Sequence, residues 1–273
     1  MTTLRLAARP VGGWRVGLVE AGRGDPVVFL HGSADTAFAW KGVLERLAPD
    51  HHVLALDFGS TERLDGGPDG QGRLEADAEL LRALLATLGE PAHLVAHSYG
   101  ALLAVRFALQ DARGLRSLCL TEPIAFGVLG DEAAGPRGER VRPSLEAFHA
   151  TWLRGDRPAA VEIILDYWNG RGSWQATAPE HQQRILAGGA RFHAEVTCAH
   201  EDRTSVAEVG ALALPTLVAS GANTTPAAQR VCDLLARAIP RARRLRVEGA
   251  GHSPMRSHPG DFARALLELM ADA

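Results

Sequence analysis

The 273-residue chain predicts an α/β fold built on a mostly parallel sheet. Short apolar runs alternate with amphipathic segments of helical period, the pattern of strands covered by helices on both faces. One long stretch, 127–209, breaks this rhythm and carries only helical patterns. The composition, 46% hydrophobic and 22% charged, is that of a globular protein large enough to bury a substantial core.

The strands are expected at 16–20 and 26–30, split by the turn Gly22-Arg23-Gly24-Asp25, and at 52–57, 92–97, 115–121, 215–220 and 245–248. Helical patterns fall at 41–48, 74–88, 101–110, 227–239 and 259–270. Leu74, Ala78, Leu81, Leu84, Leu85 and Leu88 form one apolar stripe at helical spacing. Within 127–209 a polar, glycine-rich loop at 130–138 precedes helical patterns at 144–154, 158–169, 179–188 and 192–198. Eighty-odd residues of helix is too long for a crossover. An insert over the sheet's C-terminal edge is expected, where open α/β sheets bind ligands.

Composition excludes several function classes. Net charge is −3, and aromatic content is only 5%. A nucleic-acid binder would show a clustered basic excess and stacking platforms. Small-molecule chemistry is expected, with no nucleic-acid or membrane partner, in a monomer or homodimer. Cys119, Cys198 and Cys232 are few, odd in number and far apart, which fits a reduced compartment better than a disulfide framework. The start, Met1 to Trp14, lacks a basic segment followed by an apolar run, and no apolar stretch approaches membrane-spanning length. A cytoplasmic protein is expected. No phosphate-cradling glycine motif follows a strand, so no nucleotide cofactor is expected. His193-Ala194-Glu195 and His200-Glu201-Asp202 match no zinc spacing and are expected on a solvated helix face.

The strongest local signal is Leu94-Val95-Ala96-His97-Ser98-Tyr99-Gly100, a strand followed by a tight turn and a helix. Ser98 on such an elbow projects its Oγ beside a helix N-terminus, where the dipole and free N–H groups stabilise negative charge. Small residues at Ala96 and Gly100 let the flanking backbones approach; Ala96 departs from the usual G-x-S-x-G. A second signal is Phe29-Leu30-His31-Gly32-Ser33, a strand ending in His-Gly, with His31 expected to brace the loop. A third is Val247-Glu248-Gly249-Ala250-Gly251-His252-Ser253-Pro254, a histidine on a glycine-rich loop before the final helix.

In this order the three motifs resemble the α/β-hydrolase superfamily, from about Trp14 to Met270. Leu120-Thr121-Glu122-Pro123-Ile124-Ala125-Phe126 and Asp166-Tyr167-Trp168-Asn169-Gly170 resemble, more narrowly, a capped bacterial subgroup with a serine nucleophile. The resemblance implies an eight-stranded sheet, a core of 1–126 and 210–273, and a helical cap of 127–209 after the sixth strand. It implies Ser98 as nucleophile, His252 as base, and the Ser33 and Tyr99 N–H groups as the oxyanion hole. Nucleophilic-aspartate relatives are excluded, because Ser98 stands at their aspartate. The family's acid most often follows the penultimate strand. Here that stretch, Ser220-Gly221-Ala222-Asn223-Thr224-Thr225-Pro226, has no carboxylate. Glu122, closing the preceding strand, is the expected acid; Glu248 and Asp202 are outsiders. A Ser–His dyad or an inactive site stays open. Phe126, Trp152, Tyr167 and Trp168 are expected to line the pocket; of the cap aromatics Trp152, Tyr167, Trp168 and Trp174, most are expected to be cap core. The expected reaction is acyl transfer on an ester, lactone, thioester or activated C–C bond. A lyase or cyclase using His252 as general base, and a ligand-binding module, are the alternatives.

Overall fold

The computed structural model describes residues 4–64, 72–134 and 141–273. Its strands are β1 (Leu6–Val11), β2 (Trp14–Ala21), β3 (Pro26–Leu30), β4 (His52–Arg63), β5 (Ala92–His97), β6 (Leu115–Thr121), β7 (Thr216–Gly221) and β8 (Ala242–Val247). The helices before β7 are α1 (Lys41–Leu47), α2 (Arg73–Ala86), α3 (Tyr99–Gln110), α4 (Val141–Leu153), α5 (Arg157–Asn169), α6 (Ser173–Ala176), α7 (Pro179–Ala187), α8 (Gly189–Glu201) and α9 (Val206–Val209). After it come α10 (Pro226–Ala238), α11 (Pro254–Ser257) and α12 (Pro259–Ala271). One eight-stranded sheet runs in the order β1-β2-β4-β3-β5-β6-β7-β8. β2 pairs antiparallel with β1 and β4; the remaining pairings are parallel.

The central strands are largely apolar because both of their faces are covered. Successive side chains of a strand point to opposite faces. Val28, Leu30, Leu54 and Leu56 accordingly join Leu81, Leu84, Leu102 and Val105 of α2 and α3 on one side. Their neighbours Val27, Phe29, Val53 and Ala55 join Leu44, Leu47, Phe262 and Leu266 of α1 and α12 on the other. Among the described residues no helix is long and apolar enough to cross a membrane.

The expected strands are all present, and the differences lie at the edges. β1 was not anticipated: it is largely exposed, and Pro10 interrupts any alternation. Proline is tolerated there because an edge strand has an unpaired side. β4 runs on to Arg63, beyond the apolar run that ends near Asp57, because its polar extension pairs Glu62 and Arg63 with Arg15 and Trp14. β8 starts at Ala242, three residues early; its Arg243, Arg244 and Arg246 guard the other edge of the sheet. Between β6 and β7 the described residues hold only helices, with α6 and α9 too short to show a period. The loop expected at 130–138 begins instead as a 3₁₀ segment, Phe126–Ala134, and its remainder lies outside the described residues.

A buried ionic cluster ties the helices between β6 and β7 to the sheet's own layer. Asp77 of α2 is fully buried. It accepts from Arg73 Nη2 at 2.5 Å, Arg191 Nη2 of α8 at 2.6 Å and the Tyr99 hydroxyl at 2.7 Å. Arg191 also donates to Glu195 at 2.6 Å and lies over the Phe58 ring. Burial opposes the Arg191 charge, but the attraction of Glu195 and Asp77 outweighs it and raises its pKa. Removing one member of such a buried group strands the others. Asp77→Ala is expected to lower unfolding free energy by about 3 kcal/mol. Urea denaturation checks this; a loss below about 1 kcal/mol would show that the arginines rehydrate freely.

His93, buried between β5 and β6, contacts the Ser117 hydroxyl at 2.8 Å. Burial, aided by Arg116, lowers its pKa from 6.5 to about 4. The unfolded chain therefore binds a proton that the native state refuses across that interval, so stability falls as pH drops from about 6.5 towards about 4. His93→Gln should flatten this decline, which denaturation curves at several pH values would reveal.

Candidate active site

β5 ends at His97, α3 starts at Tyr99, and Ser98 between them has φ 54° and ψ −115°. A non-glycine residue there stores strain on the order of 1–3 kcal/mol and needs its surroundings to hold it. The Ser98 N–H donates to Thr121 O at 2.9 Å, while Ser98 O accepts from the N–H groups of Ala101 and Leu102, each at 3.1 Å. Gly100 allows the turn to sit against β3. A Cβ there would lie 2.7 Å from His31 O and 2.8 Å from Leu30 Cβ. Gly32 does the same from the other side, 2.9 Å from both His97 Nδ1 and Ser98 Cβ. Ala96 sits within β5, paired with Leu30 and Leu120, where its methyl is accommodated.

Glu122 follows β6 directly, fully buried and at φ 44°. Its Oε2 accepts from His252 Nδ1–H at 2.6 Å and from the Thr224 hydroxyl at 2.6 Å; its Oε1 accepts from Gly221 N–H at 2.8 Å. A carboxylate accepts only, so the proton of this pair lies on Nδ1 and leaves Nε2 as the unprotonated nitrogen of neutral His252. Gly221 is required because the His252 loop crosses it: an added Cβ would lie 2.1 Å from Gly251 O. Thr224 lies in the stretch after β7 that carries no carboxylate. The structure gives it the complementary part, donating to the anion that stands one strand away.

His97 was also missed. Its Nε2–H donates to His252 O at 2.9 Å, and its ring lies 4.7 Å from that of His252. Burial, followed by the nearby His252, lowers its pKa well below the usual histidine range and keeps it neutral. Only the position before Ser98 could have signalled it.

Ser98 and His252 line one cavity of about 340 Å³, together with Ser33. Phe126, Tyr167 and Trp168 line it too, joined by Leu145, Ile164 and Phe192. Trp152 does not. It stacks on His193 at 4.8 Å and packs against Phe148, inside the helices, because its position on α4 faces α8. Trp174 is buried there as well. On the cavity wall Arg256 pairs with Asp35, a contact no motif announced. Tyr99 sends its side chain to Asp77, while its N–H opens α3, where no helical carbonyl can accept it.

The remaining candidates have structural duties. His31 Nε2 accepts from Phe58 N–H at 3.0 Å, and its Nδ1–H donates to Gly32 O at 2.7 Å, bracing the loop after β3. Asp202 accepts from Gly127 N–H at 2.7 Å, and Glu248 is exposed. His193 and His200 both contact the ring of His149, and among the described residues no three such groups converge on a metal-sized site.

A model of the alpha/beta hydrolase family matches residues 27–265. The pimeloyl-[acyl-carrier protein] methyl ester esterase of Aeromonas hydrophila is 27% identical over 264 residues, covering 92% of this chain and 97% of that protein. The N-formylmaleamate deformylase of Pseudomonas putida is 34% identical over 134 residues, covering 49% and 47%. Among solved structures, a thermophilic esterase from Thermogutta terrifontis aligns with a TM-score of 0.74 at 22% identity, covering 98% of each chain. With the sheet order and the elbow, these likenesses place the chain in the α/β hydrolase family, as a hydrolytic enzyme of that fold.

Proposed function

We propose that the chain hydrolyses a small-molecule ester, lactone or thioester through an acyl-enzyme on Ser98. The observation that carries this reading is the buried 2.6 Å bond from His252 Nδ1–H to Glu122, in the cavity that Ser98 also lines from its strained turn. His252 Nε2 takes the Ser98 proton as Oγ attacks the carbonyl carbon. The Ser33 and Tyr99 N–H groups stabilise the negative charge on the former carbonyl oxygen, each worth roughly 3 kcal/mol. As the tetrahedral intermediate collapses, His252 returns the proton to the leaving group. Water, deprotonated by His252 in turn, then releases the acid and restores Ser98. Glu122 stabilises the imidazolium that forms twice in this cycle.

Residues 127–209 act as the cap, with their helices supplying the apolar wall of the cavity. Leu145, Ile164 and Phe192 favour an apolar acyl portion there, and the Arg256–Asp35 pair adds polar groups to the wall. The esterase names of the relatives agree with an ester substrate. The lyase alternative arose from the missing carboxylate after β7, and with Glu122 on His252 no observation favours it.

A fluorophosphonate probe followed by peptide mass spectrometry is expected to modify Ser98 stoichiometrically, and to modify neither Ser98→Ala nor His252→Ala at that peptide. Folded wild type that stays unlabelled would overturn the acyl-enzyme reading. Glu122→Gln is expected to lower kcat by as much as about 10⁴-fold on an ester that the wild type turns over. A loss under about tenfold would point to a Ser–His dyad instead.

A further inference from the structure

Trp168 lies on the imidazole of His252, with ring centroids 4.0 Å apart and planes 20° from parallel. Its own plane is fixed by Phe126, stacked on it at 6.2 Å and 13°, and by Tyr167, edge-on at 4.9 Å. The indole thus reaches the histidine from α5, and both rings line the cavity. Lining a pocket requires only apolar area at this position. A nearly parallel stack on the proton-carrying ring is a more specific arrangement.

Its chemical consequence depends on charge. An aromatic face is the negative pole of the ring quadrupole and attracts a cation placed over it. Neutral imidazole draws little from this, whereas imidazolium draws more. The interaction therefore grows as His252 accepts the Ser98 proton, and an interaction stronger in the transition state than in the ground state accelerates the reaction. Glu122 bonds the His252 ring from the end of β6, neutral His97 lies beside it at the end of β5, and Arg256 of α11 is offset by Asp35. Glu122 addresses the Nδ1 edge, and Trp168 addresses the face.

We infer that Trp168 is a positioning residue that stabilises the imidazolium form of His252 during proton transfer from Ser98. This inference rests on the acyl-enzyme reading. It predicts that the electron density of the indole, at constant ring shape, sets the rate of nucleophile activation.

The test uses the phosphonylation of Ser98 itself, so no substrate need be known. The Oγ–phosphorus bond forms, fluoride leaves with the electron pair of the phosphorus–fluorine bond, and the Ser98 proton passes to His252. The full chain is produced with tryptophan or with its 5-fluoro, 5,7-difluoro or tetrafluoro analogues, which progressively weaken the quadrupole. The maximal labelling rate is expected to fall stepwise, by about fivefold from tryptophan to the tetrafluoro form, with half-saturating probe concentration unchanged. In a Trp168→Phe background the same fluorination of the other tryptophans should change nothing. A labelling rate insensitive to fluorine, or an equal decline in the Trp168→Phe background, would overturn the inference alone. Absence of Ser98 labelling in the unfluorinated chain would overturn it together with the acyl-enzyme reading.

Discussion

The buried carboxylate of Glu122 is the group on which the arrangement around Ser98 depends. A carboxylate with no water around it is tolerated only when hydrogen-bond donors replace the lost hydration. Here the donors arrive on two separate pieces of chain: Gly221 N–H at the end of β7 with the Thr224 hydroxyl just beyond it, and Nδ1–H of His252 from the loop after β8. Each can reach Glu122 only if β6, β7 and β8 lie side by side in parallel, as they do. The sheet order is thus a precondition of the electrostatics.

The same parallel alignment explains why strain and glycine gather at one edge. Ser98 and Glu122 close neighbouring strands, and both have positive φ. Backbone hydrogen bonds from the adjoining strands hold them: Ser98 N–H to Thr121 O and Glu122 N–H to Ala219 O. Where loops from neighbouring strands cross, at Gly32, Gly100 and Gly221, a Cβ would meet other atoms at under 3 Å. The removal of those side chains lets the loops close around Ser98.

The helices between β6 and β7 are joined to this edge by two kinds of contact. Arg191 enters the Asp77 cluster, which also receives the Tyr99 hydroxyl, so the first residue of α3 is tied to α8 through one aspartate. Trp168 meets His252 by stacking. Neither contact involves a sheet hydrogen bond. Both connect distant segments to the Ser98 turn or to the cavity it lines, and both bury aromatic or charged surface.

Much of this molecule was legible as one-dimensional pattern. The apolar runs marked seven of eight strands, because strands buried on both faces carry apolar residues at every position. The elbow at Ser98 and the glycine-rich loop at His252 were visible because a tight turn constrains residue type locally. Glu122 could be placed at a strand end, but its contact with His252 spans 130 positions. The edge strands β1 and β8 escaped in whole or in part, since their exposed, polar faces leave little apolar signal. Thr224 and His97 had no motif of their own: a hydroxyl or imidazole becomes a hydrogen-bond partner only when another segment brings the acceptor. Trp152 and Trp168 show the division most clearly. Both are tryptophans on helices of one segment, yet one packs on His193 and the other on His252. Periodicity gives the face of a helix, and only the packing of helix against helix and sheet decides what that face meets.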